Sequence, residues 1–71
     1  MYKFNVFGRV MSVIRINEQW QLFKESDTSM RVRVYDVVIP PNLEAVALTQ
    51  YLDDIYHELA SGKYPSVERI E

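Results

Sequence analysis

The Pro40-Pro41 pair divides this chain into two parts with different hydrophobic periods. Neither proline can donate to a sheet ladder, so a strand running into them must stop there. Before the pair, apolar residues alternate with polar ones, the period of half-buried strands. After it, Leu48, Leu52, Ile55 and Leu59 recur at intervals of four, three and four, one stripe of an α-helix.

The first part breaks at turn residues into four strands. Residues 2–7 alternate and end at Gly8; residues 9–16 end at the polar turn Asn17-Glu18-Gln19; Trp20 to Lys24 precedes a polar loop at 25–29; Arg31 to Ile39 runs to the prolines, with a bulge expected at Asp36. In the second part the helix is expected over about 43–60, capped by Asn42 and closed by Gly62. The tail from Tyr64 to Ile70 has room for a short edge strand. Strands followed by a helix predict an α+β fold over residues 1–71 as one domain: a four-stranded, mostly antiparallel sheet packed on one face by a single long helix. Phe4, Val6, Ile14, Leu22, Val32 and Val34 are the residues expected beneath it.

A chain of 71 residues has little interior and often needs a covalent staple, a metal or a partner. There is no cysteine and one histidine, which excludes disulfides, thiolate sites and a histidine-rich metal site within one chain. A packed core, an interface, or both must carry the fold. The absence of cysteine suits a reducing compartment. No signal-like apolar run or membrane span is evident, and a cytoplasmic location is expected.

The strands carry more apolar residues than one buried face needs. Phe7, Met11, Val13, Phe23 and Tyr35 are therefore the candidate interaction face, and the expected partner is a second copy of the chain, a homodimer, or another protein. The alternative is an anion-binding face made by Arg9, Arg31 and Arg33, which Arg15 and Lys24 could join. Residues 1–39 are net +2 and residues 40–71 net −4, with an isoelectric point near 5.3, which speaks against nucleic acid as the ligand.

Asp53, Asp54, His57 and Glu58 form a candidate acidic helix face. His57 beside a carboxylate can serve as a general base, a distant enzymatic alternative. The sequence shows no partnering nucleophile, no glycine-rich phosphate loop, no Ser-His-Asp spacing and no CxxC. The expectation is a non-enzymatic protein without metal or cofactor.

The segments Phe4-Asn5-Val6-Phe7-Gly8-Arg9, Val38-Ile39-Pro40-Pro41 and Tyr51-Leu52-Asp53-Asp54-Ile55-Tyr56-His57-Glu58 together resemble a family of short bacterial proteins known only as a domain of unknown function. That resemblance implies no activity, cofactor or partner. It singles out Gly8-Arg9 and His57-Glu58 for mutagenesis.

Overall fold

The structure, a computed structural model, describes residues 1–26 and 30–71. Five antiparallel strands form one sheet: β1 (Tyr2–Val6), β2 (Arg9–Ile16), β3 (Gln19–Glu25), β4 (Arg31–Val34) and β5 (Glu68–Arg69), in the order β4-β3-β2-β1-β5. The single helix opens with a 3₁₀ turn at Ala45–Ala47, continues as α1 (Leu48–Tyr56) and closes with a 3₁₀ turn at His57–Leu59. The α+β architecture expected from the two periods is what forms, and the C-terminal tail supplies the extra edge strand.

Both tight turns are read directly from backbone sterics. Phe7 (φ 51°) and Gly8 (φ 93°) connect β1 to β2, and Asn17 (φ 51°) and Glu18 (φ 62°) connect β2 to β3. Two consecutive positive φ values are those of a type I′ hairpin turn, whose twist matches the strands it joins. Asn5 Oδ1 accepts the Gly8 amide at 2.8 Å and fixes the first turn. A side chain at Gly8 would also strike the Tyr64 ring, 2.9 Å from an ideal Cβ.

The first turn sets which residues of β2 face the helix. It pairs Val6 with Arg9, Phe4 with Met11 and Tyr2 with Val13. Residues opposite one another share a face, so Met11 and Val13 lie inward with Phe4 and Val6, and Ile14 lies outward with Val10 and Ile16. Ile14 was expected inside; β2 is apolar on both faces, and only the turn decides between them. Leu22 and Val34 continue the inner row. Phe4, Val6, Val13, Leu22, Leu48 and Leu52 are all but inaccessible to solvent, and Met11, Ile39 and Val67 are buried with them. Val32 shares the inner face but stays exposed. At the other end of the leucine stripe, Leu59 is partly exposed.

Four expected boundaries move. β4 ends at Val34 rather than Ile39. Val37, Val38 and Ile39 have no alternation to hold them in a ladder, and the chain instead leaves the sheet so that Ile39 can enter the core. This long connection is tied down by Trp20 Nε1 donating to the Leu43 carbonyl (2.9 Å), Arg15 donating to the Pro41 carbonyl (2.7 Å), and the Tyr51 hydroxyl donating to the Val38 carbonyl (2.9 Å). Asn42 does not cap the helix; the Leu43 amide reaches the Pro40 carbonyl, placing Asn42 inside a turn, and Glu44 precedes the first 3₁₀ turn without a side-chain cap. Gly62 does not take a left-handed conformation, since the helix ends in extended Ala60 and Gly62 lies in a loop closed by Ser61 and Tyr64. Of the polar loop expected at 25–29, Glu25 belongs to β3, and 27–29 lie outside the described residues.

Candidate functional site

The proposed interaction face is not assembled. Met11 and Val13 are inward core residues. Phe7 is buried too: as the first central residue of a hairpin turn its side chain swings off the strand alternation and packs edge-on against His57, with ring centroids 6.3 Å apart at 77°. Phe23 is half-buried on the outer face, and Tyr35 is 78% exposed just past β4. The outer face carries Val10, Ile14, Ile16 and Phe23 among Lys3, Asn5, Gln19, Gln21, Glu25, Arg31, Arg33 and Glu68, so it is mainly polar. Part of the apolar surplus visible in the sequence, Phe7, Met11 and Val13, has gone into the core.

The acidic helix face is partly structural. Asp53 accepts the Val67 amide through Oδ2 at 3.1 Å, anchoring the tail beside the helix, and its Oδ1 lies 3.2 Å from His57 Nδ1. Asp54 accepts from Gln50 Nε2 at 2.9 Å. Glu58 is exposed, and His57 stands largely in solvent, with no nucleophile paired to it among the described residues. Among the described residues no cluster of three or more histidine, aspartate or glutamate side chains could hold a metal ion.

The three arginines of the expected anion site do not converge. Arg31 and Arg33 point outward from β4, whereas Arg9 faces inward opposite Val6. Lys24, paired with Met11 and Val32, also faces inward. Arg15, inward beside Trp20, stacks over the indole 4.7 Å from its centroid. On the outer face Arg31 donates from Nε to Glu25 Oε2 and from a terminal nitrogen to Oε1, both at 2.9 Å. This bidentate bond holds the Glu25 carboxyl below its ordinary range, against partial burial that would raise it, and raises the Arg31 guanidinium in turn. Among the described residues Arg33 has no carboxylate partner. Its guanidinium lies over Tyr35, 5.0 Å from the ring centroid, and its Nε is buried without a hydrogen bond.

Two surfaces result. The first is the free edge of β4. The Asn17-Glu18 turn makes Ile16 and Gln19 a hydrogen-bonded pair, so ladder alternation directs the main-chain groups of Leu22 and Lys24 toward β4. Their partners Val34 and Val32 bond inward, which leaves the N–H and C=O of Arg31 and Arg33 aimed away from the sheet. Met30, Val32 and Tyr35 along this edge are each more than half exposed.

The second is a groove of about 530 Å³ where the inner face of the sheet runs past the end of the helix. Val6, Met11 and Val34 contribute buried apolar surface, Tyr56 and Leu59 line the helix side, and Arg9, Lys24 and Asp36 bring charge. Burial raises the Tyr56 hydroxyl above its usual range, and the nearby Asp36 charge adds to the effect. Sequence reading passed over this groove. Its available signal was a cation at two strand positions, 9 and 24, whose alternation partners are core residues.

In class this is a small α+β domain, an antiparallel sheet covered by one helix, and no helix among the described residues is long and apolar enough to cross a membrane. The chain belongs to the family described as Domain of unknown function (DUF7661), whose model matches residues 1–71. No curated protein and no solved structure was found to match it.

Proposed function

We propose that this domain is a non-enzymatic protein-interaction module of the cytoplasm, and that it binds an extended acidic segment of another protein as an added strand on β4. The observation that carries this reading is the outward-facing main chain of Arg31 and Arg33 on an uncovered edge, flanked by exposed apolar side chains. Strand addition draws affinity from main-chain hydrogen bonds and specificity from alternate side chains. Here one side of an incoming strand meets Arg33, which has no carboxylate partner among the described residues, beside an Arg31 already holding Glu25, and the other meets Val32. The fitting segment alternates carboxylates with apolar residues.

Self-pairing through β4 is opposed by the same charges. A two-fold antiparallel pairing centred on Arg33 sets that residue against itself, and one centred on Val32 sets it opposite Arg31 of the second copy, whose charge Glu25 partly offsets. Like charges directly opposed are destabilising, and charges on an exposed edge are a common guard against such association.

The test is a titration with labelled peptides alternating glutamate and valine, against the same peptides carrying lysine for glutamate. The acidic peptide should bind and shift the β4 amides in NMR spectra. Arg33→Glu should abolish that binding and favour the lysine peptide. Arg33→Pro, which removes an outward N–H and leaves the inward ladder intact, should weaken it. Equal binding of both peptides, or shifts confined to residues away from β4, would refute strand addition. A stable dimer in light scattering would return self-association to the front.

A further inference from the structure

We propose that the groove at the helix end is a separate binding site for a small monocarboxylate with an apolar body, such as a medium-chain carboxylic acid. This inference stands on residues other than those of the β4 edge. The groove, about 530 Å³, is within the size range of small-molecule sites. Its apolar part comes from side chains already in the core: Val6, Met11 and Val34 are 1%, 2% and 8% exposed.

The charges are what select the ligand. Inward positions of a sheet covered by a helix are normally apolar, yet register places Arg9 beside Val6 and Lys24 beside Met11 on that face. Neither cation has an ion pair or a hydrogen bond among the described residues, and both remain exposed. No acidic side chain of the helix, Asp53, Asp54 and Glu58 included, forms an ion pair with them among the described residues. Glu25, which also reaches the groove, is held by Arg31. Two unpaired cations beside an apolar floor are the complement of a carboxylate whose chain lies along that floor. Asp36, near Tyr56, supplies one negative charge to the same groove. It disfavours a second carboxylate on the ligand, which limits the class to monoacids.

The experiment is an NMR titration of the full chain with decanoate, decylamine and decanol. Decanoate should shift the amides of Val6, Gly8, Met11 and Val34, and should bind more tightly than either of the others. The double variant Arg9→Gln/Lys24→Gln, at two exposed positions, should weaken decanoate at least about tenfold, the size expected on losing charge-assisted contacts. Asp36→Asn should tighten it, because a like charge is removed. Unchanged urea midpoints in both variants would establish that the fold is intact. Equal binding of the amine or the alcohol, shifts mapping elsewhere, or an unaffected double variant would each overturn the proposal.

Discussion

Replacing Gly8 by alanine tests the turn that aligns the whole sheet. Gly8 has φ +93°, and an ideal Cβ there lies 2.9 Å from Tyr64 Cε2 and 3.0 Å from Cδ2. Forcing an L-residue toward the left-handed region costs about 1–2 kcal/mol. Displacing the Tyr64 ring adds about 1–2 kcal/mol, in the range of overpacking. Alanine also restricts the unfolded chain and returns about 0.4–1 kcal/mol. The net expectation is a loss of about 2 kcal/mol, a large fraction of the roughly 4–10 kcal/mol typical of a domain this size. Urea unfolding followed by Trp20 fluorescence and circular dichroism measures it. A double-mutant cycle with Tyr64→Ala separates the two contributions: the clash vanishes in the double variant and the backbone term stays. The expected coupling is about 1 kcal/mol. A single-variant loss below about 0.5 kcal/mol, or no coupling with Tyr64, would refute the steric reasoning and with it the tight approach of the tail to the first hairpin.

Glu18→Gly places glycine at φ 62° in the second hairpin turn and should stabilise the protein by about 0.5–1 kcal/mol in urea unfolding, since Asn-Gly is the preferred pair for such turns. Leu52→Ala, at a fully buried helix position, should cost about 2–5 kcal/mol; a smaller loss means the helix is not seated on the sheet. The Glu25 carboxyl sits below the ordinary glutamate value of 4.5, first through its hydrogen bond to Arg31. Its contribution is therefore complete above that value and disappears as pH falls through the depressed folded pKa. The stability difference between the wild type and Arg31→Gln should shrink across that acidic window, and a pH-independent difference would contradict the pairing.

The sequence by itself determined the elements and the class of fold. Period two before Pro40-Pro41 and the leucine stripe after them name the strands and the helix, because burial of one face imposes those spacings whatever the topology. Gly8 and Asn17 mark the hairpins, because positive φ is costly for most other residues; Phe7 and Glu18 adopt it at that cost. What tertiary structure alone decided was which face of each strand is buried. β2 is apolar on both sides, and a shift of one residue at the Phe7-Gly8 turn would exchange Met11 and Val13 for Val10, Ile14 and Ile16. The same register separates Arg9 from Arg31 and Arg33, although alternation along single strands allows all three one face. It joins Arg9 to Lys24, which lie on different strands, and only pairing between strands brings them to one groove. The charges and apolar groups of a site are written in the chain; their convergence depends on cross-strand distances that no local pattern contains.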